Sequence, residues 1–238
     1  MNNAHRKLGL LCFVVVVGCA GCAGFAGNDP TGGKTGESVA TVSFPTGWGA
    51  DSVDPATALQ THRQSLAGQP RQSRVAITDD DGNRTVIRAV DPDAQTASVR
   101  LLDSTLRTDT ETYYTAEGSY EYDHTTATAT QQNETWTPAS VGFHASNTIQ
   151  RPLRNLAIEA QTVTTVDGTP AITYTVKGIQ SPNQTPPNAA TGSVVVTKQG
   201  SVMAFTIRKS NDGYARRYHY RLQTESAPVT KPSWVPAN

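Results

Sequence analysis

The chain has three cysteines, Cys12, Cys19 and Cys22, and none after them. Everything beyond residue 22 therefore folds without a disulfide, a thiol nucleophile or a cysteine-based metal site. Charge is scarce too. Only 17% of the 238 residues are charged, and the formal net charge is zero. Neither sign is in excess, so nucleic acid is not expected as a partner. The G-x-S-x-G elbow and the H-E-x-x-H motif are both missing. Beyond the first residues the histidines are His62, His124, His144 and His219, and no two stand at a metal-ligand spacing. No metal or cofactor is expected, and the chain reads as non-enzymatic. No nested or tandem repeat is legible.

Two short stretches imitate binding motifs and fail on count. Gly33-Lys34-Thr35 resembles the end of a phosphate-binding loop, but Asn28 stands where that loop needs its first glycine. Asp79-Asp80-Asp81-Gly82-Asn83 resembles the start of a calcium loop. Its glycine comes too early, and Val90 occupies the twelfth position, where a bidentate glutamate belongs. That stretch reads as a turn.

Long apolar runs are absent but for one, Leu8 to Val17, behind the positive pair Arg6-Lys7. Ten residues suit the core of a secretory signal and are short for a membrane span. Val16-Val17-Gly18-Cys19 follows and has the form of a lipobox. An aliphatic residue three before and a small residue one before let an extended chain enter the processing site, and the Cys19 thiol takes the lipid. Cys22 is a second, weaker candidate. The competing reading is an uncleaved helix over Leu8 to Ala26, uncharged but Gly-rich in its second half. The domain plan is a signal over 1–18, a tether over 19–43, one domain over 44–226 and a Pro-rich tail over 227–238. Cleavage before Cys19 removes Arg6 and Lys7 and leaves a formal charge of about −2.

The tether is rich in Gly, Thr and Ser. Asp54-Pro55 reads as an N-cap followed by a proline at the first helical position. Leu59, His62, Arg63 and Leu66 repeat at helical spacing and Gly68 stops them, so a helix is predicted over 54–67. The period then changes to two. Val75 and Ile77, then Val86 to Val90, flank the acidic turn. Val99–Leu101, Thr110–Tyr114 and Tyr120–Tyr122 read as strands, and Thr125 to Gln132 as an edge strand. Pro152, Leu153, Leu156, Ala157 and Ala160 predict a second short helix near 152–158.

The last third is the clearest β signal. Asp167-Gly168 joins residues 161–166 to 170–177. Gln199-Gly200 joins Val194–Val196 to Met203–Ile207. Asn211-Asp212-Gly213 leads to a strand in which Tyr214, Tyr218, Tyr220 and Leu222 alternate with Arg217, His219 and Arg221. That basic row reads as a solvated sheet face. Trp234 is the residue to pin the tail. Asn83, Asn133 and Asn183 open Asn-x-Thr sequons in turns or loops.

The order of lipobox, polar tether, Leu59-x-x-His62-x-x-x-Leu66 helix, strands, Leu-rich helix, more strands and a Lys231-Pro232-Ser233-Trp234 tail resembles a family of uncharacterised haloarchaeal lipoproteins. Six lysines against fourteen arginines agree with a GC-rich or salt-adapted source, while the near-neutral charge departs from it. More remotely the order resembles the open half-barrel of LolA and the LppX/LprG lipid and lipoprotein carriers. The expected fold is α+β: a strongly curved antiparallel sheet of nine to eleven strands with two short helices on its concave side.

The expected function is that of a lipid-anchored protein on the extracytoplasmic face of the cell membrane, binding an apolar or lipid-like ligand. Its candidate lining is Leu59, Leu66, Tyr120, Tyr122, Tyr174, Met203, Phe205 and Tyr218. The alternative is a structural or adhesive envelope lipoprotein with a filled core.

Overall fold

The computed structural model describes residues 39–138, 146–180, 187–224 and 228–236. Cys19 with its leader, the Gly33-Lys34-Thr35 stretch, His144 and Asn183 lie outside them. A single helical turn, Val39–Thr41, precedes α1 (Pro55–Ser65). Six strands follow: β1 (Arg71–Asp79), β2 (Gly82–Asp91), β3 (Thr96–Asp103), β4 (Thr108–Tyr114), β5 (Ser119–Asp123) and β6 (Thr128–Gln132). A π-helical turn, Ser146–Gln150, runs into α2 (Arg151–Leu153). The last five strands are β7 (Leu156–Val166), β8 (Thr169–Ile179), β9 (Ala189–Thr197), β10 (Val202–Asn211) and β11 (Tyr214–Gln223).

All eleven strands form one antiparallel sheet in the order β6-β5-β4-β3-β2-β1-β11-β10-β9-β8-β7. Two meanders are thus joined by pairing the first strand to the last, with Val75 opposite Tyr220. β6 and β7 are its free edges, so the sheet is open. Bulges at Ala157/Ile158, Ala160/Thr162 and Val202/Ala204 bend it. The two short helices lie on the concave face, as the sequence predicts.

Local chemistry explains α1. The Asp54 carboxylate accepts from the Ala56 and Thr57 N–H groups at 3.0 and 3.3 Å, and Pro55 starts the helix. Ala58, Leu59, His62 and Leu66 are its buried side. The preceding loop approaches closely at Gly47, whose φ is +88°. A Cβ there would collide with the Ala58 backbone.

The second helix is shorter than its spacing predicts. It ends at Leu153, and Leu156, Ala157 and Ala160 belong to β7. Asn155, with φ +61°, takes the left-handed position that ends the helix. From there Leu156 and Ile158 are buried with period two. Leucines at 153 and 156 serve a helix or a helix-to-strand junction equally well.

A repeat is also present that the sequence reading missed. The β2–β3, β3–β4 and β5–β6 connections each run from an Asp to a Thr five residues on, the two being paired: Asp91 with Thr96, Asp103 with Thr108, Asp123 with Thr128. In each, the Asp side chain accepts from the backbone of the loop, at Ala94, at Leu106 and at Thr126. Each also sets the residue before the Thr at positive φ: Gln95 (51°), Arg107 (52°) and Ala127 (54°). The shared element is six residues of variable sequence, which is why it escapes a search for tandem similarity. The Asp167-Gly168 turn has both residues at positive φ, as a two-residue type I′ hairpin requires.

Strand register assigns the faces. Val75, Tyr220, Phe205, Val194 and Tyr174 lie in one row across five strands, all inward and all buried. They belong to one continuous core with Leu59, Leu66, Met203 and Tyr218. The opposite face carries the tail. Val235 is buried there, Trp234 stacks on Tyr122 at 5.2 Å, and Tyr113 on neighbouring β4 is buried.

Candidate functional site: a cavity beside the first helix

The inner face is not filled everywhere. Where β1, β2 and β11 pass beneath the end of α1, a cavity of about 360 Å³ remains. Its apolar wall comprises Leu66 from α1, Val90 from β2, Leu222 from β11 and Ile149 from the π-helical turn, with Trp136 beside them. Its polar wall comprises His62, Arg63, Arg71, Ser73, Arg88, Thr148 and Tyr220. Register places them together: Ser73 lies opposite both Arg88 and Leu222, and Arg71 opposite Val90.

Each polar group has a distinct environment. His62 Nδ1 accepts the Val202 N–H at 3.1 Å, and the ring meets Tyr220 edge-on. Burial, with Arg71 and Arg63 nearby, pushes its pKa down to about 3, so it is neutral at pH 7. Arg71 uses one nitrogen, Nη1, to hold the Leu66 and Gln69 carbonyls at 3.1 and 3.0 Å. It therefore closes the C-terminal end of α1. Burial raises the pKa of the Tyr220 hydroxyl, so that group stays protonated.

Arg88 differs from all of these. Its Nε and Nη2 are buried and have no hydrogen-bond partner. Trp136 Nε1 is buried without an acceptor as well. No Asp or Glu pairs with Arg71 or Arg88 among the described residues. Both guanidinium pKa values are lowered, chiefly by burial. The sequence did carry a signal for this site. Val86 and Val90 are buried, and Arg88 shares their parity, so an arginine stands at an inward position. The reading of residues 86–90 as a returning strand passed over it.

Of the eight candidate lining residues, Leu66 borders this cavity. Leu59, Tyr174, Met203, Phe205 and Tyr218 are buried in the packed core. Phe205 stacks on Tyr220 at 5.1 Å, and Tyr174 packs on Trp48 at 5.1 Å. Tyr120 and Tyr122 stand on the opposite face, because their register partners, Tyr113 and Glu111, have the outward parity of β4. There Glu111 accepts from Ser98 at 2.8 Å and meets His124 Nε2 at 3.2 Å, and His124 packs edge-on against Tyr122. Arg217, His219 and Arg221 share that outer face. Arg208 and Arg74 stand opposite Arg217 and Arg221 on the flanking strands. Asn83 and Asn133 are exposed. Among the described residues no three His, Cys, Asp or Glu gather in a metal-binding group. No described helix is long and apolar enough to cross a membrane.

No protein-family model matches the chain, and no curated protein does. Solved structures are similar at low identity. An uncharacterized conserved protein from Thermus thermophilus is 9% identical, over 73% of this chain and 90% of its own, with a TM-score of 0.33. A LolA superfamily protein from Nitrosomonas europaea is 7% identical, over 74% of this chain and 96% of its own, with a TM-score of 0.28. A chain of the Pseudomonas aeruginosa MucA/MucB complex is 14% identical, over 74% of this chain, with a TM-score of 0.35; this chain spans 59% of its length.

Proposed function

We propose that this chain is a lipid-anchored extracytoplasmic protein that binds an apolar, lipid-like ligand in the cavity beside α1. One observation carries the reading: a space of about 360 Å³ on the inner face, walled by Leu66, Val90, Ile149 and Leu222. Small-molecule pockets run from roughly 300 to 1,000 Å³. The space therefore suits one chain of a small amphiphile better than a multiply acylated lipid. Anchoring through Cys19 rests on the lipobox, and two acyl chains at about 0.8 kcal/mol per buried methylene hold a protein stably on a membrane.

The second reading, a structural or adhesive envelope lipoprotein, draws on the filled core around Tyr174, Phe205 and Met203. Mass spectrometry of the full chain purified from membranes separates the two. A native mass increment that extracts into organic solvent supports the binding protein. A reproducible apo mass supports the structural role. In the same preparation, a lipid increment on the peptide that begins at Cys19, lost in Cys19→Ser, tests the anchor.

A further inference from the structure

The cavity's unpaired polar atoms are all donors. Nε and Nη2 of Arg88 and Nε1 of Trp136 are buried with no acceptor among the described residues. Arg71 stands diagonally across the strand pair and adds a second positive charge with no carboxylate partner. A buried charge without a counter-charge is costly in general and persists where something offsets it. Water would satisfy the N–H groups but not the charge. A carboxylate or phosphate would do both, since a guanidinium fork matches either geometry. Beside this cationic end lies the apolar wall of Leu66, Val90, Ile149 and Leu222.

We propose that the cavity takes an anionic single-chain amphiphile, its carboxylate or phosphate held by Arg88 with Arg71 and its chain laid on that apolar wall. This rests on the binding-protein reading and names the ligand class. Neutral His62 lines the wall without adding charge, its Nδ1 already engaged by Val202. A cationic site without a ligand also makes an unusual demand: removing the charge should stabilise the unliganded protein, because the desolvation penalty disappears with it.

The test uses the full chain in phosphatidylcholine nanodiscs, with empty nanodiscs as the blank. Octanoate, octyl phosphate, octanol and inorganic phosphate are titrated by calorimetry. Octanoate or octyl phosphate is expected to bind at least tenfold more tightly than octanol. Arg88→Met is expected to remove that preference, to leave octanol affinity within about twofold, and to raise the melting temperature of the unliganded protein. Equal binding of octanoate, octyl phosphate and octanol to the wild type overturns the anionic headgroup and leaves the binding-protein reading standing. Binding of none of the three overturns both. Binding of inorganic phosphate as tightly as octyl phosphate overturns the amphiphile. An Arg88→Met protein that melts lower and keeps its octanoate affinity makes Arg88 a structural residue. If that variant does not fold, the wild-type contrast between octanoate and octanol decides alone.

Discussion

The two meanders of the sheet share an antiparallel rhythm and differ in what stands at their inward positions. From β8 to β11 most of those positions are apolar and buried, Ile172, Tyr174, Val176, Val194, Val196, Phe205, Ile207, Tyr218, Tyr220 and Leu222, with the pair Lys209 and Arg216 the charged exception. From β4 to β6 they hold Thr108, Thr110, Thr112, Tyr114, Ser119, Glu121, Asp123, Thr128, Thr130 and Gln132. The first half is a core surface, and the second has little apolar face to bury beyond Tyr114, which packs against Val90 and Ala97. Between them lie β1 and β2, where Arg71, Ser73 and Arg88 interrupt Val75, Val86 and Val90. The cavity opens at this boundary. A pocket that receives both a charge and a chain belongs where apolar and polar inward positions meet.

The sharpest way to break the comparison is truncation. Phe205→Ala in the filled half should cost about 3 to 5 kcal/mol, because a fully buried ring stacked on Tyr220 leaves a cavity. Thr130→Ala on the exposed edge strand should change stability by less than about 0.5 kcal/mol. Urea unfolding reads both, and comparable losses would erase the distinction.

Next in size is pH. His62, in the cavity wall and bonded to Val202 of β10, has a folded pKa of about 3 against 6.5 in the free side chain. Between those values the unfolded chain binds the proton and the folded one does not. Stability therefore falls as the pH drops from about 6.5 toward 3, by up to about 1.4 kcal/mol per pH unit from this group. His62→Gln should flatten that part of the urea-midpoint profile. An unchanged slope would mean that the ring is not held neutral.

The polar half has its own support on the outer face, the stack of Trp234 on Tyr122. Trp234→Ala should cost about 1 kcal/mol. It should also speed hydrogen exchange in β4 and β5 while leaving β8 to β10 unchanged. Uniform acceleration would show that the tail acts on the whole sheet. A small effect, above that of Thr130→Ala, is expected from Asp54→Ala, which removes the α1 cap at an exposed position. The unfolding midpoint should fall slightly, and Asp54→Ser should restore it.

Legibility in the sequence follows the range of the forces involved. The Asp167-Gly168 and Asn211-Asp212-Gly213 turns were readable because a few adjacent residues set their backbone angles. So was α1, through Asp54, Pro55 and a stripe of apolar residues. The end of α2 was not, since the competition between helix and strand at Leu156 is settled by pairing with Ile179 on β8. The site was half legible. Leu66 was named, whereas Arg88 was hidden among residues that individually suit a solvent-facing strand.

By itself the sequence determined the class of the fold: period-two segments closed by local turns, one capped helix, and no cysteine to staple them. Those are properties of neighbours along the chain. Tertiary structure alone decided that β1 pairs with β11 and that Tyr120 and Tyr122 face away from the core. It also decided that Arg71 and Arg88 share a cavity with Leu66 and Leu222. Such outcomes depend on strand order and register, where a shift of one residue exchanges the two faces.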